Sequence, residues 1–92
     1  MEQVFVRRPN KEQIELLSKQ PIWEHENATW DAEYDERVET ALIITGKAYV
    51  TTYDGIKHYF QAGDLVTFSP NMKCVWTVTE PISKHYIFDA KI

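Results

Sequence analysis

The stretch that decides the fold is Gly63-Asp64-Leu65-Val66-Thr67-Phe68-Ser69-Pro70-Asn71, where a glycine turn leads into a short apolar strand and a second turn. A related unit lies upstream, where six residues separate Glu39 from Gly46. Around both units, apolar and polar residues alternate with a period of two, which is typical of strands. Together the two units predict strands joined by glycine turns.

The same alternation continues outward from these units, from Thr29 to Phe88, and predicts seven or eight short strands. Asp54-Gly55 is a strong signal for a two-residue hairpin. No segment between the strands is long enough for a crossover helix, which excludes a parallel α/β sheet. The pattern therefore favours an antiparallel sandwich or barrel. Further turns are predicted at Gly46, Gly63 and Pro81.

The N-terminal segment carries the only helical signal. Val4-Phe5-Val6 predicts a short first strand. Asn10 followed by Gln13 resembles a helix-capping pair and predicts a short helix over 10–19. Ile14 and Leu17 would share one face of it, packed on the outside of the sheet.

Composition limits the classes of partner. A chain of 92 residues holds one domain. The net charge is −4 and the ten Lys and Arg are scattered, so we expect no nucleic-acid partner. The longest aliphatic run, Ala41-Leu42-Ile43-Ile44, is too short to span a membrane. The residues after Met1 do not form a signal peptide, and Cys74 is the single cysteine, so we expect a cytoplasmic protein. We expect no membrane partner, and a monomer or a homodimer.

The upstream unit resembles the first motif of the cupin superfamily. That motif runs His-x-His, three or four residues, Glu, six residues, Gly. Glu39 and Gly46 match its second half, and Glu33 and Asp35 stand where the two His would be. The match places Glu39 on an inward face.

The downstream unit resembles the second cupin motif. Gly63 matches its opening glycine, Ser69 replaces the proline, Asn71 replaces the next glycine, and Cys74 falls at the position of the motif's His. Within the superfamily, the chain resembles small single-domain cupins related to (S)-ureidoglycine aminohydrolase. The resemblance implies an all-β fold, a double-stranded β-helix (cupin/jelly-roll) barrel with one short N-terminal helix. Residues 1–92 would be a single cupin domain with its core barrel at about 21–88.

The candidate metal ligands are few and chemically mixed. The resemblance to ureidoglycine aminohydrolase implies a Mn²⁺ site of Glu, His and amide ligands. Here the candidates are Glu33, Asp35, Glu39 and Cys74, three carboxylates that suit hard cations and a thiol that suits Zn²⁺. Alternatively, Glu33 and Asp35 lie in a solvated acidic run, and Cys74 is a small buried hydrophobe. Glu39 would then pair with a Lys or Arg, or form hydrogen bonds with the backbone at a strand end. A divalent Mn, Zn, Ni or Fe is the conceivable cofactor, and we expect none to be tightly bound.

The predicted ligand pocket is the mouth of the barrel, walled by aromatic rings. His58 shares strand parity with Phe60, and His85 with Ile87, so either histidine could face the cavity. Lys84 is either an outward charge or an inward partner for Glu39. The candidate pocket residues are Tyr34, Glu39, His58, Cys74, Trp76, Lys84 and His85.

Three functions follow from this interpretation. The first is a cupin that binds a small-molecule ligand in the barrel cavity, with no reaction and no catalytic residue assigned. The second is a metal-dependent enzyme acting on a small nitrogenous or carboxylated metabolite, as the resemblance implies. The third is a structural subunit with an inactive site. The absence of both motif histidines favours the first.

Overall fold

A computed structural model describes residues 3–90 of the chain. One antiparallel sheet of seven strands accounts for most of it, with a single short helix outside, which confirms the all-β prediction. No helix among the described residues is long and apolar enough to cross a membrane. The elements are β1 (Val4–Arg7), α1 (Lys11–Leu17), β2 (Ile22–His25), β3 (Ala28–Glu33), β4 (Glu39–Thr52), β5 (Lys57–Gln61), β6 (Leu65–Phe68) and β7 (Lys73–Phe88).

Two long strands, β4 and β7, organise the sheet. They pair with each other along most of their length. The first part of β4 also pairs with β6 and its second part with β5. Likewise, the first part of β7 pairs with β3 and its second part with β2. The remaining strand, β1, pairs with β6, so the sheet extends N-terminal to the expected barrel range of 21–88.

The prediction of turns at Gly46 and Pro81 is wrong. Strand β4 continues through Gly46, and β7 continues through Pro81. Gly46 and Pro81 lie opposite each other where the register of the β4–β7 pair shifts. Proline is tolerated at such a position because it has no backbone N–H group to donate to the neighbouring strand. Gly46 has φ +88°, and a Cβ atom there would lie 2.2 Å from the Pro81 carbonyl oxygen. The register of the ladder shifts here, and neither strand ends.

The bulge at Gly46 changes which side chains of β4 face inward. Before it, Ala41 and Ile43 pack in the main core, and after it Ala48 and Val50 do, so the inward positions change from odd to even. Strand β7 keeps one phase throughout. Its inward residues are Cys74, Trp76, Val78, Ile82 and Lys84, all at even positions.

The helix begins after Asn10, as its capping pair predicts. The Asn10 side chain accepts a hydrogen bond from the Gln13 backbone N–H, and the Gln13 side chain accepts one from the Asn10 N–H, both at 2.8 Å. Leu17 is fully buried in a small cluster with Leu42 and Leu65. Ile14, expected on the same face as Leu17, is 43% exposed, and Leu16 packs against the cluster instead.

Candidate functional site

The two long strands bring a buried cation and a buried anion together. Glu39 is the first residue of β4, and Lys84 lies near the end of β7. The Lys84 Nζ atom donates to Glu39 Oε2 at 2.5 Å, and the side chains are 7% and 10% exposed. Of the two interpretations of Lys84, the structure therefore supports the inward partner. Either charge alone would be costly here, since burial strips a charge of its water.

Aromatic rings surround the ammonium group of Lys84. Its Nζ atom lies 4.9 Å from the ring centroid of Trp23, 5.0 Å from that of Trp76 and 5.4 Å from that of Phe68. The negative face of an aromatic ring attracts a cation at these distances, most strongly where water is excluded. The ammonium is thus held by one carboxylate and three rings.

A neutral phenol completes the polar groups of this region. Tyr34 follows β3 directly, and its Oη atom accepts a hydrogen bond of 2.9 Å from Trp76 Nε1. Burial, together with the nearby negative charge of Glu39, raises the pKa of Tyr34 far above its ordinary value, while the hydrogen bond from Trp76 lowers it. The phenol therefore keeps its proton at neutral pH and can donate it in a hydrogen bond.

These groups border one cavity of about 320 Å³. Trp30 and Trp76 stack across the β3–β7 pair, with centroids 5.6 Å apart and planes 11° apart. Exposed Glu33 and half-buried Tyr86 lie on the lining, so the cavity reaches the surface. Its volume falls in the lower range of pockets for small organic molecules. The lining residues are Trp23, Trp30, Ala32, Glu33, Tyr34, Glu39, Trp76, Lys84, Tyr86 and Phe88.

The structure brings together four of the seven predicted pocket residues: Tyr34, Glu39, Trp76 and Lys84. It places the other three elsewhere. Cys74 is buried in the main core opposite Ala32 and does not line this cavity. His58 lies near the β4–β5 hairpin, where its Nε2 atom is 3.2 Å from Thr52 Oγ1. His85 lies on the opposite face of β7 from Lys84, with its Nδ1 atom 2.9 Å from the Gln20 carbonyl oxygen.

The described residues do not form a metal-ligand cluster. Among residues 3–90, no three His, Cys, Asp or Glu side chains are grouped so that they could hold a metal ion. Asp35 is exposed and turned to Arg37, whose hydrogen bonds hold the pKa of Asp35 below its ordinary value. Glu33 is exposed at the cavity rim. The donor set therefore does not fit the mixed Glu and His site that the resemblance implies.

Several lining residues were not among the predicted pocket residues. Phe88 shares the parity of Lys84 along β7, so alternation carried through that strand would have found it. Trp23 lies on β2, a strand that the sequence pattern did not predict because the alternation is clear only from Thr29 onward. Phe68 contacts the ammonium of Lys84 from outside the lining of the cavity, and the sequence predicted it only as part of a strand.

Comparisons with known proteins identify the architecture. Residues 16–86 match the family of EutQ-like cupin domains. A DUF861 family protein from Thermotoga maritima is 41% identical, with a TM-score of 0.85, over 92% of this chain and 98% of that one. The EutQ protein of Clostridium difficile is 18% identical, with a TM-score of 0.66, over 95% of this chain and 68% of that one.

A third similar structure is a putative ethanolamine utilization protein Q from Salmonella typhimurium, 15% identical with a TM-score of 0.64, over 92% of this chain and 68% of that one. At such identities the two EutQ structures support the fold alone. No curated protein sequence matches this chain. The matches confirm the cupin barrel predicted from the two glycine units, while the finer resemblance to (S)-ureidoglycine aminohydrolase stays a prediction.

Proposed function

This chain belongs to the family of EutQ-like cupin domains, and we propose that it binds a small, flat organic molecule in the aromatic cavity beside Lys84 and Glu39. The observation that carries the proposal is the buried ion pair on the wall of that cavity. Replacing a buried ion pair by apolar side chains often leaves a protein equally stable or more stable. Fold stability alone therefore gives little reason for these two charges, whereas a few polar groups in an apolar pocket are what orients a ligand.

The polar groups of the cavity favour a ligand with a hydrogen-bond acceptor. The Lys84 ammonium has three N–H donors, and one of them is directed to Glu39. Tyr34 remains protonated and supplies an O–H donor. A carbonyl or amide oxygen would accept from these donors, while the rings of Trp30 and Trp76 offer flat apolar surface.

The charges of the cavity favour a neutral ligand over an anion. Lys84 and Glu39 cancel each other, and Glu33 adds a negative charge at the rim. An anionic ligand would meet that repulsion on entry. No observation on the described residues supports the alternative of a metal-dependent enzyme acting on a small nitrogenous or carboxylated metabolite, because the donor set does not fit a metal.

Tryptophan fluorescence tests the proposal, since three of the lining residues are Trp23, Trp30 and Trp76. The titrants are small neutral aromatic amides, with benzamide and nicotinamide as the first probes. We expect a saturable change for the native chain. The double variant Glu39→Leu, Lys84→Met removes the pair without leaving a lone charge, and should weaken binding about tenfold or more.

A matched control lies on the same two strands. Lys47 of β4 and Glu80 of β7 form an exposed ion pair at 3.3 Å, with side chains 58% and 57% exposed. The variant Lys47→Met, Glu80→Leu should bind as the native chain does. The proposal fails if no probe gives a saturable signal, or if both double variants bind equally well while their circular dichroism shows that both are folded.

A further inference from the structure

We propose that Lys84 is a covalent nucleophile whose amine condenses with a small neutral aldehyde in the aromatic cavity to form a Schiff base. This inference rests on the proposed binding function and adds a reaction to it. Lysines that form Schiff bases are commonly held in apolar surroundings beside a group that can take up their proton. Lys84 is held in that way by its rings and by Glu39.

Three groups with complementary roles border the cavity. Lys84 supplies the amine, and Glu39 supplies a carboxylate oxygen 2.5 Å from Nζ that is placed to accept and return a proton. Tyr34 supplies a protonated phenol that can donate a hydrogen bond to the aldehyde oxygen. The ammonium, a poor nucleophile, thus lies next to the group that can make it an amine.

The reaction balances without an oxidant or a reductant. Glu39 takes a proton from the ammonium, and the nitrogen lone pair attacks the aldehyde carbon. A C–N bond forms, the carbonyl π electrons move to oxygen, and that oxygen receives the proton from Glu39. Glu39 then takes a second proton from nitrogen and passes it to the hydroxyl group, which leaves as water. The products are an iminium ion on Lys84, one water molecule and the Glu39 carboxylate.

The surroundings suit this product. The iminium carries one positive charge, as the ammonium did, so its ion pair with Glu39 and its contacts with Trp23 and Trp76 persist. A neutral aldehyde adds no charge, whereas an oxo acid would bring a carboxylate towards Glu33 and Glu39. The flat walls of Trp30 and Trp76 favour an aromatic aldehyde, for which benzaldehyde is the probe.

Reductive trapping tests the inference on the folded native chain. Benzaldehyde and sodium cyanoborohydride convert a Schiff base into a stable secondary amine, and peptide mass spectrometry then locates it. At low conversion we expect Lys84 to be modified about tenfold faster than Lys47, because the cavity holds the aldehyde carbonyl beside the Lys84 amine, whereas Lys47 meets it only from solvent. Lys47 is the matched comparison because it also pairs with a glutamate across β4 and β7 but is exposed. Modification of Lys84 no faster than that of Lys47, despite its burial beside Glu39, would overturn the inference.

Two variants give independent readouts. Lys84→Arg keeps the positive charge but should yield no adduct at position 84, and Glu39→Gln should slow modification of Lys84 about tenfold or more without changing that of Lys47. Unchanged modification of Lys84 in folded Glu39→Gln would overturn the proton-transfer role. A saturable fluorescence change with benzaldehyde but no adduct would overturn the Schiff base and leave the binding function intact. The absence of both the fluorescence change and the adduct with benzaldehyde, together with no response to benzamide or nicotinamide, would overturn the Schiff base and the binding function alike.

Discussion

Replacing Lys84 with Met should destabilise the fold by about 3–5 kcal/mol at neutral pH. Methionine keeps an unbranched apolar side chain against Trp23 and Trp76, so most of the loss would not come from an empty cavity. It comes instead from Glu39, which is 10% exposed and would lose the cation that lies 2.5 Å from its Oε2 atom. A buried carboxylate without a partner is costly because neither water nor a cation offsets its lost hydration.

Urea unfolding followed by tryptophan fluorescence measures this loss. The double variant Glu39→Leu, Lys84→Met should recover most of it, because it removes both charges and leaves apolar side chains. Lys47→Met breaks the exposed pair of the same two strands and should change the free energy of unfolding by at most about 1 kcal/mol. The contrast between the two lysines isolates the effect of burial.

The double variant also identifies the cause of the loss. A deficit of Lys84→Met below about 1 kcal/mol would refute the explanation from burial of the charge. So would a large deficit that remains undiminished in the double variant, since the loss would then come from packing.

Three further predictions use other parts of the barrel. The unfolded chain loses the phenol proton of Tyr34 near pH 10.0, whereas its raised pKa keeps that proton in the folded chain, so stability should fall as the pH rises above that value. Tyr34→Phe should reduce this slope in urea melts, and an unchanged slope would contradict the assignment. Gly46→Ala should cost roughly 2 kcal/mol more than Gly55→Ala, because both glycines have positive φ but only Gly46 has no room for a Cβ atom. Equal thermal shifts would contradict this. Elemental analysis of untagged protein should find less than one transition metal per chain, and stoichiometric metal that is lost in Glu39→Gln would refute it.

Local alternation separates the two faces of β3, although the sequence left open whether Glu33 and Asp35 were metal ligands or lay in a solvated run. Trp30, Ala32 and Tyr34 alternate with exposed acidic residues, and they line the cavity. Alternation is a property of the strand itself, so it needs no knowledge of the partner strands. The motif match placed Glu39 on an inward face, and in the structure Glu39 is buried in phase with Ala41 and Ile43 of the core.

The same patterns could not predict which residues face inward in the part of β7 that follows Pro81. Pro81 predicts a turn from sequence, and a turn there would interrupt the phase that Trp76 sets for Lys84 and His85. Whether a proline ends a strand or lies within it depends on the neighbouring strand. Here the bulge at Gly46 of β4 interrupts the regular hydrogen bonding opposite Pro81. That relation joins two positions far apart in sequence. The aromatic contacts of the ammonium depend on it too, because they require the two long strands in register.

The ammonium group of Lys84 changes the chemistry that is available next to Glu39. Glu39 matches the glutamate of the first cupin motif, which the resemblance places at a metal, and in this chain that carboxylate is directed to an ammonium group. Both partners are cations, but they differ in chemistry. A metal accepts electron pairs from several ligands at once. An ammonium group donates hydrogen bonds and, once it has lost a proton, becomes a nucleophile. The exchange keeps a positive charge in the cavity, and on that charge rest the proposed binding of carbonyl groups and the proposed covalent chemistry at nitrogen.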